Sequence, residues 1–249
     1  DVDLRTSRRA RFRCDHPGYE LNSQPAPSTH CKHIFCSKHR TRAGEFCGAA
    51  LDLRGNHARG CGVGGAILAF HSWARDWLKR TLERWHPGVP VSKEQHVPAW
   101  DYRLPPRPDA APGEQPPMSE ARLDVRIPEP SGRGRILNVD IGFADPYTAD
   151  LAELRRRAQK PGRAAADYVY HKQQTYPAWR NPTEDLVPFI IESFGHPSVR
   201  AVNFLRQMAP SDRSLRSLEL RRAYRELSCI TQQRLAEVLR SAEDNSKPN

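Results

Sequence analysis

No stretch of this chain approaches the ~18 consecutive apolar residues that a membrane-crossing helix needs, so no transmembrane span is expected. The opening segment, DVDLRTSRRARFR, lacks the apolar centre of a secretory leader. That predicts an intracellular, non-secreted protein. The chain also starts without methionine, and we expect it to be a piece of a longer one. Apolar residues make up only 38% of the 249 positions, against 22 prolines, so part of the chain should stay outside any packed core. What apolar content exists is clustered, which leaves room for one modest domain with attachments.

Negative charge is outweighed. The formal net charge is +10, with a pI of about 9.6. A basic surface favours a polyanionic partner, nucleic acid before an acidic membrane, although a merely soluble basic protein has the same balance. Cysteine is unevenly spread. Five of the six lie between Cys14 and Cys61, among His16, His30, His33, His39 and His57, and Cys229 stands alone. Cysteine mixed with histidine, without a leader, points to zinc in a reducing compartment rather than to disulfides.

Residues 1–43 are basic and irregular, with Arg8, Arg9, Arg11 and Arg13 ahead of a turn-rich patch. They suit an arm that touches phosphates, or equally a solvated tail. Residues 44–64 are glycine-rich and short of core residues, so they need a staple, which Cys47, His57 and Cys61 can supply.

Between 66 and 85, Ile67, Phe70, Ala74, Trp77, Leu78 and Leu82 recur at helical spacing, with Arg75, Lys79, Arg80 and Arg84 on other positions. The helix should stop at His86-Pro87-Gly88. A strand can form over 89–97, and the proline-dense segment 103–119 reads as a long exposed loop. Strand signals at 121–127 and 135–143 flank a hairpin connection. Residues 148–175 are helical in composition, interrupted at Lys160-Pro161-Gly162. A strand over 186–194 and helices near 197–209 and 212–242 complete the chain. This order predicts an α/β fold with a small mixed central sheet flanked by helices.

Two acids lie inside apolar strands. Asp124 sits between Leu123 and Val125, and Asp140 between Val139 and Ile141. Burying a carboxylate is costly unless it is paired or metal-bound. On adjacent hairpin strands two such groups repel, and a hard divalent cation relieves the repulsion. Mg²⁺ or Mn²⁺ at that position could promote attack on a phosphodiester. The alternative is that both acids end their strands in solvent. Glu94 is a possible third acid. Lys172, on the following helical stretch, could steady a reacting water or the developing charge, or be an ordinary surface lysine. Arg155, Arg156, Arg157 and Lys160 form a basic cluster suited to phosphate, or to a solvated helix face.

The order of the strings carries a resemblance. CGAALDLRGNHARGCGVGG followed by a helix, then RLDVRI, ILNVDIGFADP, a helix holding HKQQTY, and DLVPFIIESFG resemble the restriction-like endonuclease domain of site-specific non-LTR retrotransposon proteins, a branch of the PD-(D/E)xK nuclease superfamily. The likeness spans residues 47–192 and continues as layout in the C-terminal helices. It implies Asp124 and Asp140 as the motif acids, Lys172 as the catalytic lysine displaced onto the helix, Tyr176 as the tyrosine after it, and Glu94 as the first-strand acid. His71 falls where the family has an Arg-His pair, Phe70 replacing the arginine. His71 and Arg75, with Arg155, Arg156, Arg157 and Lys160, are the candidate nucleic-acid contacts. Gly142 occupies the position of the lysine in standard superfamily members. In the knuckle, Gly44 replaces the family's first cysteine. Cys36 can substitute beside Cys47, His57 and Cys61, with Cys31 and His39 as rivals, since a structural zinc site takes four ligands.

The organisation expected is thus a poorly ordered basic arm (1–43), a zinc knuckle (44–64), a nuclease core (65–196), C-terminal helices (197–243) and a disordered tail (244–249). The resemblance implies Mg²⁺ or Mn²⁺ and structural Zn²⁺ as cofactors, DNA (or RNA) as partner, and a nuclear location. Either an active endonuclease or a nucleic-acid-binding module on the same fold would fit. No reverse-transcriptase segment is visible.

Overall fold

A computed structural model of the chain describes residues 66–104, 113, 115–130, 134–148, 150–177 and 181–243. The expected arm, knuckle and tail, with Cys36, Cys47, His57 and Cys61, lie outside the described residues.

The first element is helix α1, Ala66–Trp85. Its apolar stripe of Ala74, Trp77, Leu78, Leu82 and Trp85 is buried. The helix ends where predicted, at a turn completed by Gly88 with φ of 89°. Strand β1 (Ser92–His96) follows, then a single 3-10 turn at Pro98–Trp100. Two short strands, β2 (Tyr102–Arg103) and β3 (Met118–Ser119), pair antiparallel and close the base of the proline-rich loop. Next come β4 (Arg122–Pro128) and β5 (Ile136–Ala144), helix α2 (Leu151–Ala158), helix α3 (Arg163–Thr175) and β6 (Glu184–Glu192). Helices α4 (Val199–Met208) and α5 (Arg213–Glu243) finish the described chain.

The main sheet has the order β1-β4-β5-β6. The first two pairings are antiparallel and β5-β6 is parallel, so the sheet is mixed, as expected. The parallel return is possible because α2 and α3 form the crossover that such a pair requires. Breaks between helices are set locally. Asp150 caps α2 by accepting from the backbone N–H groups of Ala152 and Glu153, and Ser198 caps α4 through Ala201. Gly162 adopts the left-handed φ of 79° that turns the chain from α2 into α3. Pro188 is tolerated within β6 because that strand lies at the sheet edge.

Both sheet faces are covered. Val125, Ile127, Leu137, Val139, Ile141, Phe189 and Ile191 join α1, α4 and α5 in one core. Ala144 and Ile190 meet Ala164, Ala165 and Val169 of α3 on the other side. Double coverage explains why Phe189-Ile190-Ile191 is continuously apolar rather than alternating. The C-terminal helices belong to the main core. Ala223 and Leu227 of α5 are buried in it, the indole N–H groups of Trp77 and Trp85 donate to Glu226 (3.1 Å) and Glu219 (2.8 Å), and the Arg234 guanidinium stacks 3.5 Å over Trp73.

Leu78 has no exposed surface and sits between the sheet and the C-terminal helices. Leu78→Ala should destabilise the fold by about 2–5 kcal/mol, the range for a buried leucine truncated to a partly collapsed cavity. Urea denaturation followed by circular dichroism measures this; a loss below about 1 kcal/mol would remove α1 from the cooperative core.

Candidate active site

The antiparallel register of β4 and β5 pairs Val125 with Val139. One step further along lie Asp124 and Asp140, facing each other on neighbouring strands. Their exposures are 7% and 4%. Both acids are buried within the sheet rather than ending their strands in solvent.

Each carboxylate is compensated differently. The Ile141 backbone N–H donates to Asp124 Oδ2 at 2.7 Å, so the side chain takes the place of a strand partner. His71, from α1, places Nε2 3.2 Å from the same oxygen and 3.1 Å from the Ile141 carbonyl. Both neighbours are acceptors, which assigns the proton to Nε2. The bond to Asp124 outweighs burial and raises the His71 pKa. His71 was anticipated as a nucleic-acid contact; its imidazole lies against a motif acid.

Asp140 relies on α3. Lys172 Nζ lies 2.8 Å from Asp140 Oδ2, within ion-pair range. Burial raises the Asp140 pKa against the lowering effect of Lys172. Burial alone would lower the Lys172 pKa, but the Asp140 charge prevails and raises it. The ammonium also faces two rings, 5.5 Å from the Tyr168 centroid and 5.8 Å from that of Tyr176. Burial, then the Asp140 charge, push the Tyr176 hydroxyl well above its ordinary pKa, so it remains a donor. Tyr102 from β2 meets the Tyr176 ring edge-on at 5.4 Å.

Tyr168 is the site residue that sequence reasoning missed. Its signal was its spacing. Residues 168, 172 and 176 are four apart and line one side of α3. The ring explains Gly142. A Cβ there would lie 2.8 Å from Tyr168 Cε1 and 2.8 Å from Ile190 Cδ1. No side chain fits at that strand position, and the cation next to Asp140 comes from the helix above it. A second missed group is polar and buried at the far end of the same strands. Glu184 accepts from Arg126 Nη2 at 2.9 Å and from Asn138 Nδ2 at 2.7 Å.

The remaining candidates are spread out. Glu94 lies opposite Asp124 by the register of β1 and β4, but its carboxylate pairs with Arg75. Arg156 and Arg157 both pair with Glu153, Arg156 also with Asp167, and Arg157 donates to the Asp145 carbonyl at 2.9 Å. Arg155 and Lys160 are exposed, with no ion pair among the described residues.

Among the described residues no group of three or more His, Cys, Asp or Glu side chains is arranged to hold a metal. What the site offers a hard cation is oxygen: Asp140 Oδ2, now paired with Lys172, with Asp124 and the Ile141 carbonyl, both now engaged by His71. Hard divalent ions take such donors and leave further positions to water. The sequence matches no protein-family model, and no curated protein matches it significantly.

Removing one partner of a buried ion pair leaves an uncompensated charge, at a cost of about 3–5 kcal/mol. Lys172→Met should therefore destabilise the protein, and the loss should depend on pH. Without the ammonium, the Asp140 pKa in the folded state rises further above its unfolded value of roughly 3.9. Below that value both states hold the proton and no penalty arises. As pH climbs toward the folded pKa, the unfolded state loses its proton first and stability falls. Urea unfolding should thus show a larger deficit at pH 8 than at pH 4.5, and a pH-independent deficit would sink the assignment.

Proposed function

We propose that the chain is a metal-dependent endonuclease that nicks or cleaves DNA phosphodiester bonds on a restriction-like fold, as the C-terminal part of a retrotransposon-type protein acting in the nucleus. The supporting observation is the convergence of Asp124, Asp140 and Lys172 from β4, β5 and α3 on one buried point. The likeness to the retrotransposon nuclease domain supplies the reaction class.

In this reading Asp124 and Asp140 hold Mg²⁺ or Mn²⁺. The bound ion would supply a Lewis acid and a more acidic water for attack at phosphorus. His71 orients the Asp124 carboxylate through its Nε2–H. Lys172 stays charged next to Asp140, where an ammonium can stabilise negative charge developing on the phosphate or orient the attacking water. Tyr176 keeps its proton as a hydrogen-bond donor near Lys172. The Zn²⁺ knuckle of Cys36, Cys47, His57 and Cys61, with the basic residues, positions the nucleic acid through its phosphates.

One observation favours a second reading, a nucleic-acid-binding module that keeps the fold without catalysis. Glu94, the expected third acid, pairs with Arg75, so no carboxylate trio forms among the described residues.

Incubation with supercoiled plasmid separates the two. With Mg²⁺ or Mn²⁺ the protein should convert plasmid to nicked circles, and Asp140→Ala should lower the rate by at least about a hundredfold, the scale of losing an electrostatic stabiliser. Nicking that survives Asp140→Ala defeats the catalytic assignment, and binding without nicking supports the module. Zinc content checks the knuckle separately: wild type should bind one equivalent that Cys47→Ser loses, and an unchanged stoichiometry rejects Cys47 as a ligand.

A further inference from the structure

Next to Asp124 the surface opens into a cleft of about 300 Å³ lined by His71, Ser72, Arg75, Glu94, Arg122, Leu123 and Asp124. Two arginines, Arg75 and Arg122, face two acids, Asp124 and Glu94, across it. Arg75 is unusual for a surface arginine, since only 13% of its side chain is exposed. Glu94 takes its Nη1, while Nε is buried without a hydrogen bond, the nearest acid atom being Asp76 Oδ1 at 3.7 Å. The guanidinium fork is therefore only partly used.

Glu94 is unusual for a strand residue. Lys93 pairs with Val125 and Gln95 with Leu123, so the strand stays in register on both sides. Between them Glu94 adopts φ of +53°, the one non-glycine residue in the left-handed region among those described. L residues with a side chain rarely take that conformation, and such outliers cluster where function over-determines the backbone. A regular residue at 94 would project to the same face as Asp124, directly opposite a like charge. The left-handed backbone instead accompanies a carboxylate bound to Arg75, with 62% of its side chain in solvent.

We propose that Glu94 is a built-in stand-in for a DNA phosphate: it occupies Arg75 in the free protein, and a backbone phosphodiester displaces it when a strand enters the cleft next to Asp124. The inference rests on the DNA-cleaving reading of this site and assigns its substrate-positioning subsite. A phosphodiester carries the same anionic oxygen that Glu94 gives to Nη1 and a second one for the rest of the guanidinium fork. Displacement moves Glu94 only outward, since its side chain already faces solvent. Glu94 is thereby a gate on binding rather than a third metal ligand.

The test measures affinity without added Mg²⁺ or Mn²⁺, so that no cleavage intervenes while bound zinc is kept. Anisotropy of a short fluorescein-labelled duplex is recorded in chelator-free buffer across a salt series for the full chain. Glu94→Gln should bind about three- to tenfold tighter, as expected when one competing charge is removed at a partly screened site. Glu94→Gly, which suits the left-handed backbone, should do the same and guards against a folding artefact in the first variant. Arg75→Ala should bind more weakly, with the slope of log K against log salt reduced by about 0.9, the value for one phosphate contact. The double variant Glu94→Gln/Arg75→Ala should bind like Arg75→Ala alone. Glutamine or glycine at 94 that leaves affinity unchanged, or a gain at 94 that persists without Arg75, overturns the proposal. Plasmid nicking kept by wild type alongside unchanged affinity in the variants condemns this subsite alone. The affinity pattern without nicking leaves the subsite standing and removes the cleavage reading.

Discussion

Two carboxylates facing each other in the middle of the sheet set the terms for the elements around them. Two charges there are costly to hold, because burial penalises charge and like charges repel. Help arrives from opposite directions. The Ile141 N–H and His71 of α1 serve Asp124, and Lys172 of α3 serves Asp140. Both helices are therefore anchored to the sheet by polar contacts as well as by their apolar faces. The acids cost stability, and a packed hydrophobic pair would serve the fold at least as well.

The position of Lys172 follows from packing. A lysine reaching Asp140 from its own strand would stand at the position held by Gly142. Tyr168 and Ile190 fill that space, so a side chain on β5 would collide with both. The ammonium reaches Asp140 from one turn of α3, flanked by the rings of Tyr168 and Tyr176. An aromatic cleft of this kind keeps water away from the pair and strengthens the attraction across 2.8 Å. Glycine on the strand and lysine on the helix are two sides of one steric arrangement.

Much of the fold was legible because its signals are local. The stripe from Ala74 to Trp85 is periodic, Gly88 breaks it, and the glycine-proline turns separate the later elements within two or three residues of the observed bounds. The candidate acids were legible for a different reason, since an aspartate in an apolar strand is conspicuous. Ion pairing was not legible. Arg75 and Glu94 are 19 positions apart and Trp77 and Glu226 are 149 apart, so their contacts exist only after the chain has folded. The same applies to Arg156 and Arg157, which look available beside Arg155 and are spent on Glu153, Asp145 and Asp167.

That difference bears on how nucleic acid would meet this surface. A net charge of +10 suggests a broad electropositive face, yet much of the charge near the site is neutralised internally. Arg75 is held by Glu94, Lys93 by Asp76 at 2.7 Å, and Arg122 by Glu120. In the proposed function, a phosphate approaching Asp124 would meet ion pairs rather than bare cations and would have to compete with a carboxylate. Exchange of one anion for another costs less than stripping water from a free guanidinium, because the site is already partly desolvated. Where the carboxylate belongs to a flexible, solvent-facing side chain on a twisted strand residue, as at Glu94, the exchange requires no rearrangement of the core. In the proposed function, internal pairing near the acids would thus keep the charge in register with the site until a phosphate exchanges for the carboxylate.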